Sequence, residues 1–207
     1  MRNSPFLASV LATVFFLPAI LAGCNSHPMT DYRALDKAGM WTSGMAELRK
    51  LNVSDAEVTQ LVALKNAGLD DGMCVALVAA AHSHQHPFTS AESAKKLNSA
   101  GYTDEQILAI AKNDKLDALS GDAVMLRLIG LADSNVQMLL QRRMKGLPTL
   151  SSAEIARLKN TELSEKEIIA RIENGMTDDQ ADAEASAREK ARAHSGTGFV
   201  RTRARRR

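Results

Sequence analysis

The chain is poor in the residues that build β-sheets and disulfide frameworks. Phe, Trp and Tyr together make up 4% of its 207 residues, and the only cysteines are Cys24 and Cys74. No segment shows a sustained alternation of β-branched and polar residues, so we do not expect a sheet. Because Ala, Leu, Met and Ile supply most of the 45% hydrophobic content, we predict an all-α fold.

The short motifs that identify many enzymes are also missing. The chain contains no Gly-x-x-x-x-Gly-Lys phosphate loop, no Gly-x-Ser-x-Gly nucleophile motif and no His-Glu-x-x-His zinc motif. Its acidic pairs, such as Asp70 with Asp71, lie at predicted helix starts, where capping and solvation explain them. We therefore expect a protein that is not an enzyme.

The first 23 residues have the plan of a secretory signal peptide. Arg2 precedes an apolar run from Phe6 to Ala22 that contains no charged residue. A transmembrane helix is the alternative, but the run is barely long enough to cross a bilayer and Pro18 interrupts it. We predict that residues 1–23 are a signal peptide.

The signal peptide ends in Leu21-Ala22-Gly23-Cys24, which resembles the lipobox of bacterial lipoproteins. The resemblance implies that Cys24 carries covalent lipid and becomes the first residue of the mature chain. Removal of 23 of the 207 residues leaves 184. It further implies a location in the bacterial envelope. Since Asn25 rather than an aspartate follows the cysteine, it favours the outer membrane, facing the periplasm, over the inner membrane.

Residues 24–30 form the lipidated cysteine and a short tether, which reaches at most about 20 Å. More than one acyl chain on Cys24 anchors stably, whereas a single chain is marginal. With Cys24 lipidated, Cys74 has no partner for an intramolecular disulfide. Its apolar neighbours predict that it is buried, and a thiolate activated near a helix start is the alternative.

A six-residue phrase recurs at helix-like spacing through residues 31–194. It places an apolar residue before Ser, Thr or Asp, and Glu or Gln three residues after that cap, as in a capping box with a hydrophobic staple. The clear copies begin at Val53, Leu69, Tyr102, Leu150, Leu163 and Met176, and the weaker ones at Phe88, Leu119 and Leu131. We predict a compact array of short antiparallel helical hairpins, with a short α-solenoid as the alternative.

The apolar stripes on these helices are expected to form one core. The helix after Leu69 is predicted to be the most buried, because it is apolar nearly all round. Leu128 belongs to a stripe assigned to the core. For Trp41, the sole tryptophan, we expect either packing of the first turn against the body or contact with the membrane interface.

Three histidines, His82, His84 and His86, alternate in the stretch HSHQHP. On a continuous helix His82 and His86 share a face, which is a possible arrangement for Zn or Cu. However, Pro87 disfavours helical geometry at His86, and histidines suit the negative end of a helix dipole. A helix-ending hinge is therefore favoured, and a metal-binding or metal-sensing protein remains the alternative function.

The charge of the chain is unevenly distributed. Residues 24–194 hold 20 basic and 24 acidic side chains. The last seven residues hold five arginines, namely Arg201, Arg203, Arg205, Arg206 and Arg207. We predict that residues 195–207 are a disordered tail that contacts anionic lipid head groups, with a solvated tail that binds nothing as the alternative. Nucleic acid is not an expected partner in the envelope.

Taken together, these patterns predict a membrane-anchored lipoprotein whose helical body is a non-catalytic interaction or scaffold module. Grooves between short helices would bind a protein or peptide partner in the envelope. No cofactor is expected beyond the lipid on Cys24, apart from the metal considered for the histidines.

Overall fold

The computed structural model describes residues 30–203, with side chains as far as residue 194. Within that part all regular secondary structure is helical and there is no strand, which confirms the all-α prediction. The helices are α1 Arg33–Lys37, α2 Thr42–Lys50, α3 Asp55–Asn66, α4 Asp71–Ser83, α5 Ala91–Ser99, α6 Asp104–Ala111, α7 Leu116–Leu128, α8 Asp133–Met144, α9 Ser152–Asn160, α10 Glu165–Glu173 and α11 Asp178–Arg203. The predicted signal peptide, Cys24 and nearly all of the tether lie outside the described residues.

All six clear capping phrases begin a helix. The N-cap side chain accepts a hydrogen bond from the backbone N–H three residues on in α3, α4, α6, α9, α10 and α11, at Ser54, Asp70, Thr103, Ser151, Ser164 and Thr177. Capping boxes close in α3, α6 and α10, where Glu57, Gln106 and Glu167 bond back to the N-cap backbone. Local capping chemistry therefore explains these helix starts.

The weaker phrases have mixed outcomes. Phe88 and Leu131 precede α5 and α8, but neither helix has a side-chain cap. Leu119 was predicted to precede a helix and lies inside α7. That prediction is wrong because α7 has already begun at Leu116, and Ser120 packs into its buried face instead of capping a helix. None of the capping phrases lies at the start of α1, α2 or α7.

Each of the helices from α1 to α10 ends with a residue in the left-handed conformation. Glycine occupies this position at six of the ends. Asn52, Gln85, Asp114 and Glu162 occupy it at the other four, with φ between 53° and 68°. Left-handed backbone reverses the chain and satisfies carbonyls of the last helical turn, so the connections stay short.

The helices stack in alternation. Helix α3 packs on α1, α5 on α3, α7 on α5, α9 on α7 and α11 on α9, while α4 packs on α2 and on α6. The first helical residue of one helix often accepts a hydrogen bond from the N-cap N–H of the helix two before it. This links Asp71 to Trp41 (2.7 Å), Glu165 to Ala132 (2.8 Å) and Asp178 to Ser151 (2.9 Å).

Because the N-termini of such stacked helices meet, the stacked helices run in the same direction and the helix between them runs back. The predicted antiparallel hairpins are therefore present. Their stacking order is that of the α-solenoid considered as the alternative. In this order α1 and α11 form the two ends of the row of odd-numbered helices.

Helix α4 contributes more buried residues than any other described helix, as predicted, although Ala79 on it is exposed. Cys74 on this helix is fully buried, which confirms the predicted burial of the free thiol. Burial raises the pKa of the Cys74 thiol to about 12, so an activated thiolate is ruled out at this position.

The predicted helix end near His194 is not observed, because the α11 backbone continues to Arg203. Glycine weakens a helix by about 1 kcal/mol relative to alanine without forbidding it, and alanine and arginine around the two glycines favour helix. The side chains of Arg201 and Arg203, and all of Arg205, Arg206 and Arg207, lie outside the described residues. Among residues 30–203, none of the helices combines the length and hydrophobicity needed to cross a bilayer.

Candidate functional site: the α5–α7 groove and the histidine segment

The histidine segment, residues 82–87, contacts the rest of the fold through the buried carboxylate of Glu57. The Glu57 side chain is 4% exposed. Its Oε2 accepts hydrogen bonds from the N–H and the hydroxyl of Ser54, at 2.8 and 2.9 Å. Its Oε1 lies 2.7 Å from His82 Nε2 and accepts from the Phe88 N–H at 2.9 Å. One carboxylate therefore caps α3 and holds both ends of the segment between α4 and α5.

The other two histidines contact the turn after α6. His84 Nε2 lies 3.0 Å from the Lys112 carbonyl, and His86 Nε2 lies 2.9 Å from Asp114 Oδ1. The Pro87 carbonyl beside Nδ1, together with Asp114, raises the pKa of His86 above its ordinary value. Gln85 between them is the left-handed residue that ends α4 (φ 62°). The segment thus acts as a helix end that is fastened to its neighbours.

Within residues 30–203 no three His, Cys, Asp or Glu side chains converge as metal ligands. The Nε2 atoms of His82, His84 and His86 point to three separate acceptors. The segment also borders a cavity of about 240 Å³, lined by His86, Asp114 and Asp117 over apolar residues. That volume is below the range of ordinary small-molecule sites. The geometry therefore supports the hinge interpretation and brings no observation in favour of a metal.

A larger concave surface lies between α5 and α7, and we call it the α5–α7 groove. It has a volume of about 750 Å³. Its apolar side is formed by Val124, Leu128 and Leu131, and its basic side by Lys95, Lys96 and Arg127. Glu92 and Asp133 stand at its edges. The groove is thus amphipathic and is built from side chains that the fold itself positions.

Leu128 was assigned to the core from its apolar stripe, and this assignment is wrong. The residue is 74% exposed, and Met125 one turn before it is 45% exposed. The opposite face of α7 is buried through Leu126 and Ala123. Because α7 has apolar residues on more than one face, its sequence does not distinguish core positions from an apolar surface.

Arg127 forms the charged part of the groove. Its guanidinium carbon lies 4.3 Å from the centre of the Tyr102 ring, and the Tyr102 hydroxyl donates to the Ala123 carbonyl at 2.6 Å. The polar contacts of Arg127 are long, at 3.4 Å to the Ala100 carbonyl and 3.4 Å to Asp133. Its buried Nε has no hydrogen-bond partner. The guanidinium is therefore held over the Tyr102 ring, and its terminal nitrogens, whose contacts are long, keep donor capacity for an anionic group.

Gly121 provides open space on the α7 side of the groove. A Cβ atom added there would meet no atom within 4 Å. Glycine inside a helix costs about 0.5–1 kcal/mol relative to alanine, and no neighbour among the described residues requires it here. Close approach of another backbone would use this space, since glycine lets two backbones come together.

The groove presents apolar and basic side chains to a ligand. Its titratable groups are mostly paired, Lys95 with Glu92 at 2.9 Å and Arg127 with Asp133 at 3.4 Å. No nucleophile with an adjacent base lines it. Sequence reasoning missed the groove because α5 and α7 meet only in the folded chain, and the isolated glycine in a helical segment was its one local signal.

The chain matches no family model, and no curated protein is significantly similar to it.

Proposed function

We propose that this protein is a lipid-anchored protein of the bacterial envelope whose helical body is a non-catalytic binding module. The observation that carries the binding function is the α5–α7 groove, where exposed Leu128 lies beside the incompletely bonded guanidinium of Arg127. The partner that fits is a protein segment carrying an apolar side chain next to a carboxylate.

The chemistry of this pairing follows from the groove. Burying Leu128 against an apolar side chain removes exposed hydrocarbon from water. A carboxylate at Arg127 gains a charge-assisted hydrogen bond to a guanidinium that is already positioned by Tyr102. Lys96 on α5 adds positive charge to the groove.

A random peptide library tests the binding function with a defined probe. Selected peptides are expected to pair an acidic residue with an apolar one, and to lose binding to the variant Leu128→Asp. The matched control is Leu147→Asp, because Leu147 is also exposed (46%) but does not line the groove. Equal binding to both variants would contradict the proposal.

Gly121→Ala separates a binding role from a folding role. Alanine in this helix is expected to stabilise the fold by about 0.5–1 kcal/mol and to weaken binding of the selected peptides. A variant that gains stability and keeps its full affinity would show that no ligand backbone approaches Gly121.

The anchor is tested in bacteria with an alkyne-bearing fatty acid. Labelling of the protein is expected and should disappear in Cys24→Ala. Membrane fractionation is expected to place the protein in the outer membrane, and Asn25→Asp should shift it toward the inner membrane. Absence of label in the wild-type protein would refute the lipid anchor and would not affect the binding function proposed for the groove.

The C-terminal arginines are proposed to make a second, electrostatic membrane contact. Each basic residue near an anionic surface is worth about 1 kcal/mol, so the non-lipidated protein should bind anionic vesicles less well after deletion of residues 199–207. Equal binding with and without these residues would show that the tail is merely solvated.

A further inference from the structure

One aromatic side chain lies on the surface at the end of the body that begins the described chain. Trp41 is 76% exposed, although its neighbours Met40 and Met45 are buried. Packing of the first turn against the body, one of the two expectations for Trp41, is therefore wrong. A tryptophan has a large apolar body with one polar N–H, which suits the boundary between lipid and water.

The exposure of Trp41 is not the result of a loosely held backbone. Its backbone N–H donates to Asp71 Oδ2 at 2.7 Å, and Asp71 pairs with Lys65 at 2.6 Å through side chains that are 20% and 13% exposed. A Cβ on Gly44 would meet Asp71 at 3.2 Å, so α2 and α4 approach each other closely. The fold thus fixes the backbone of Trp41 firmly while its ring stays out of the core.

The chain between the proposed anchor and Trp41 is short, which limits how far apart they can lie. Thr30, the first described residue, follows Cys24 by six residues, a reach of about 20 Å at most. Between Thr30 and Trp41 lie only the five residues of α1 and two short connections, which span about 30 Å at most. A lipid on Cys24 would therefore hold this end of the body at the membrane.

The charge of this end also differs from that of the remaining body. Residues 30–50 hold four basic and three acidic side chains, whereas residues 51–194 hold sixteen and twenty-one. Lys37, four residues before Trp41, is exposed. A bilayer surface rich in anionic lipid repels the acidic remainder of the body, whereas it does not repel this end, where basic side chains outnumber acidic ones.

We propose that the α1–α2 end of the body rests on the membrane, with the Trp41 side chain inserted among the lipid head groups. This inference rests on the proposed lipid anchor and adds a defined orientation to it. The occupant of the exposed surface is the lipid boundary itself, because the chain that leads to Cys24 leaves the body at this end.

Trp41 is the only tryptophan in the chain, so its fluorescence reports on this position alone. The lipidated protein is reconstituted into vesicles of anionic and zwitterionic phospholipid whose acyl chains carry bromine near the head group. Emission is expected to shift to shorter wavelength and to be quenched relative to vesicles without bromine, while an aqueous quencher loses access.

The matched control moves the tryptophan to a second exposed position with Trp41→Phe and Leu128→Trp. Its emission is expected to stay insensitive to brominated lipid. Quenching at both positions, at position 128 alone or at neither would overturn the proposed orientation.

The proposed orientation can be tested even if Cys24 proves not to be lipidated in bacteria. Mass spectrometry of the protein from bacteria determines whether Cys24 carries lipid. If it does not, the chain from residue 24 is coupled to a maleimide lipid through the Cys24 thiol, since Cys74 is buried and the whole core lies within residues 35–185. Bromine quenching of Trp41 in that conjugate tests the orientation independently of the anchor formed in bacteria.

Discussion

Removing the Glu57 carboxylate should destabilise the protein far more than removing a carboxylate that only caps a helix. The structure offers a matched control, because Glu167 forms the same capping box in α10 with Ser164, at 2.9 Å from its N–H, yet is exposed. Loss of a capping interaction costs about 1 kcal/mol, which is the full cost expected for Glu167→Ala.

Glu57→Ala should cost this amount and more. The variant also leaves the Phe88 N–H without its acceptor in a buried position, which costs about 1–3 kcal/mol, and it removes the contact with His82. We therefore expect Glu57→Ala to lower the free energy of unfolding by about 3–4 kcal/mol, from about 1 kcal/mol for the cap and slightly more than about 1 kcal/mol for each of the two tertiary contacts. For a domain of this size, each kcal/mol corresponds to about 2–4 °C in melting temperature.

Urea and thermal denaturation, followed by circular dichroism at the helix band, measure both variants under the same conditions. Glu57→Ala should be less stable than Glu167→Ala by about 2–3 kcal/mol, the sum of the tertiary contacts. A difference below about 1 kcal/mol would refute the reasoning that Glu57 fastens α4 and α5 to α3.

Three further outcomes are expected. Gln85→Gly should stabilise the protein by about 0.5–1 kcal/mol in urea denaturation, because Gln85 holds a left-handed φ of 62° that costs a non-glycine residue about 1–2 kcal/mol, part of which is offset by the greater freedom of glycine in the unfolded chain; a loss of stability would show that the side chain of Gln85 is needed. Cys74, whose pKa burial raises to about 12, should react with a bulky maleimide only on unfolding when Cys24→Ala removes the other thiol of the chain, and rapid labelling of that native variant would contradict its burial. Burial opposes ionisation of Glu57, but hydrogen bonds from Ser54, Phe88 and His82 outweigh it and hold the pKa of Glu57 below its ordinary value. Its contribution is therefore present above the unfolded pKa of about 4.3 and lost as the pH falls through the lower folded pKa. The stability gap between the wild type and Glu57→Gln should accordingly narrow below about pH 4, and a gap independent of pH would refute this linkage.

Local chemistry is what made the fold predictable. The starts of α3 and α10 could be predicted from Ser54 with Glu57 and from Ser164 with Glu167, because the capping partners are three residues apart in sequence. The start of α7 at Leu116 carries no such signal, since Lys115 precedes it without a side-chain cap. The false start at Leu119 shows that an apolar residue followed by serine does not begin a helix when it lies within one that has already begun at Leu116.

The candidate sites depended on contacts that no local pattern contains. Glu57 was recognised as a capping residue, but its bond to Phe88, 31 residues away, arises only when α5 packs on α3. Leu128 and Leu126 have the same hydrophobic character, and only the position of α5 and α8 around α7 determines which of them is exposed. The histidines were correctly placed at a helix end because Pro87 and the dipole preference act locally.

The row of odd-numbered helices sets how far from the bilayer a partner would be met. Packed helices lie about 8–10 Å apart, so the α5–α7 groove begins two spacings, or roughly 20 Å, beyond α1, and α11 lies roughly 45 Å beyond it. With the α1–α2 end on the membrane, the groove would therefore meet partners at that height above the bilayer and not at the lipid surface itself.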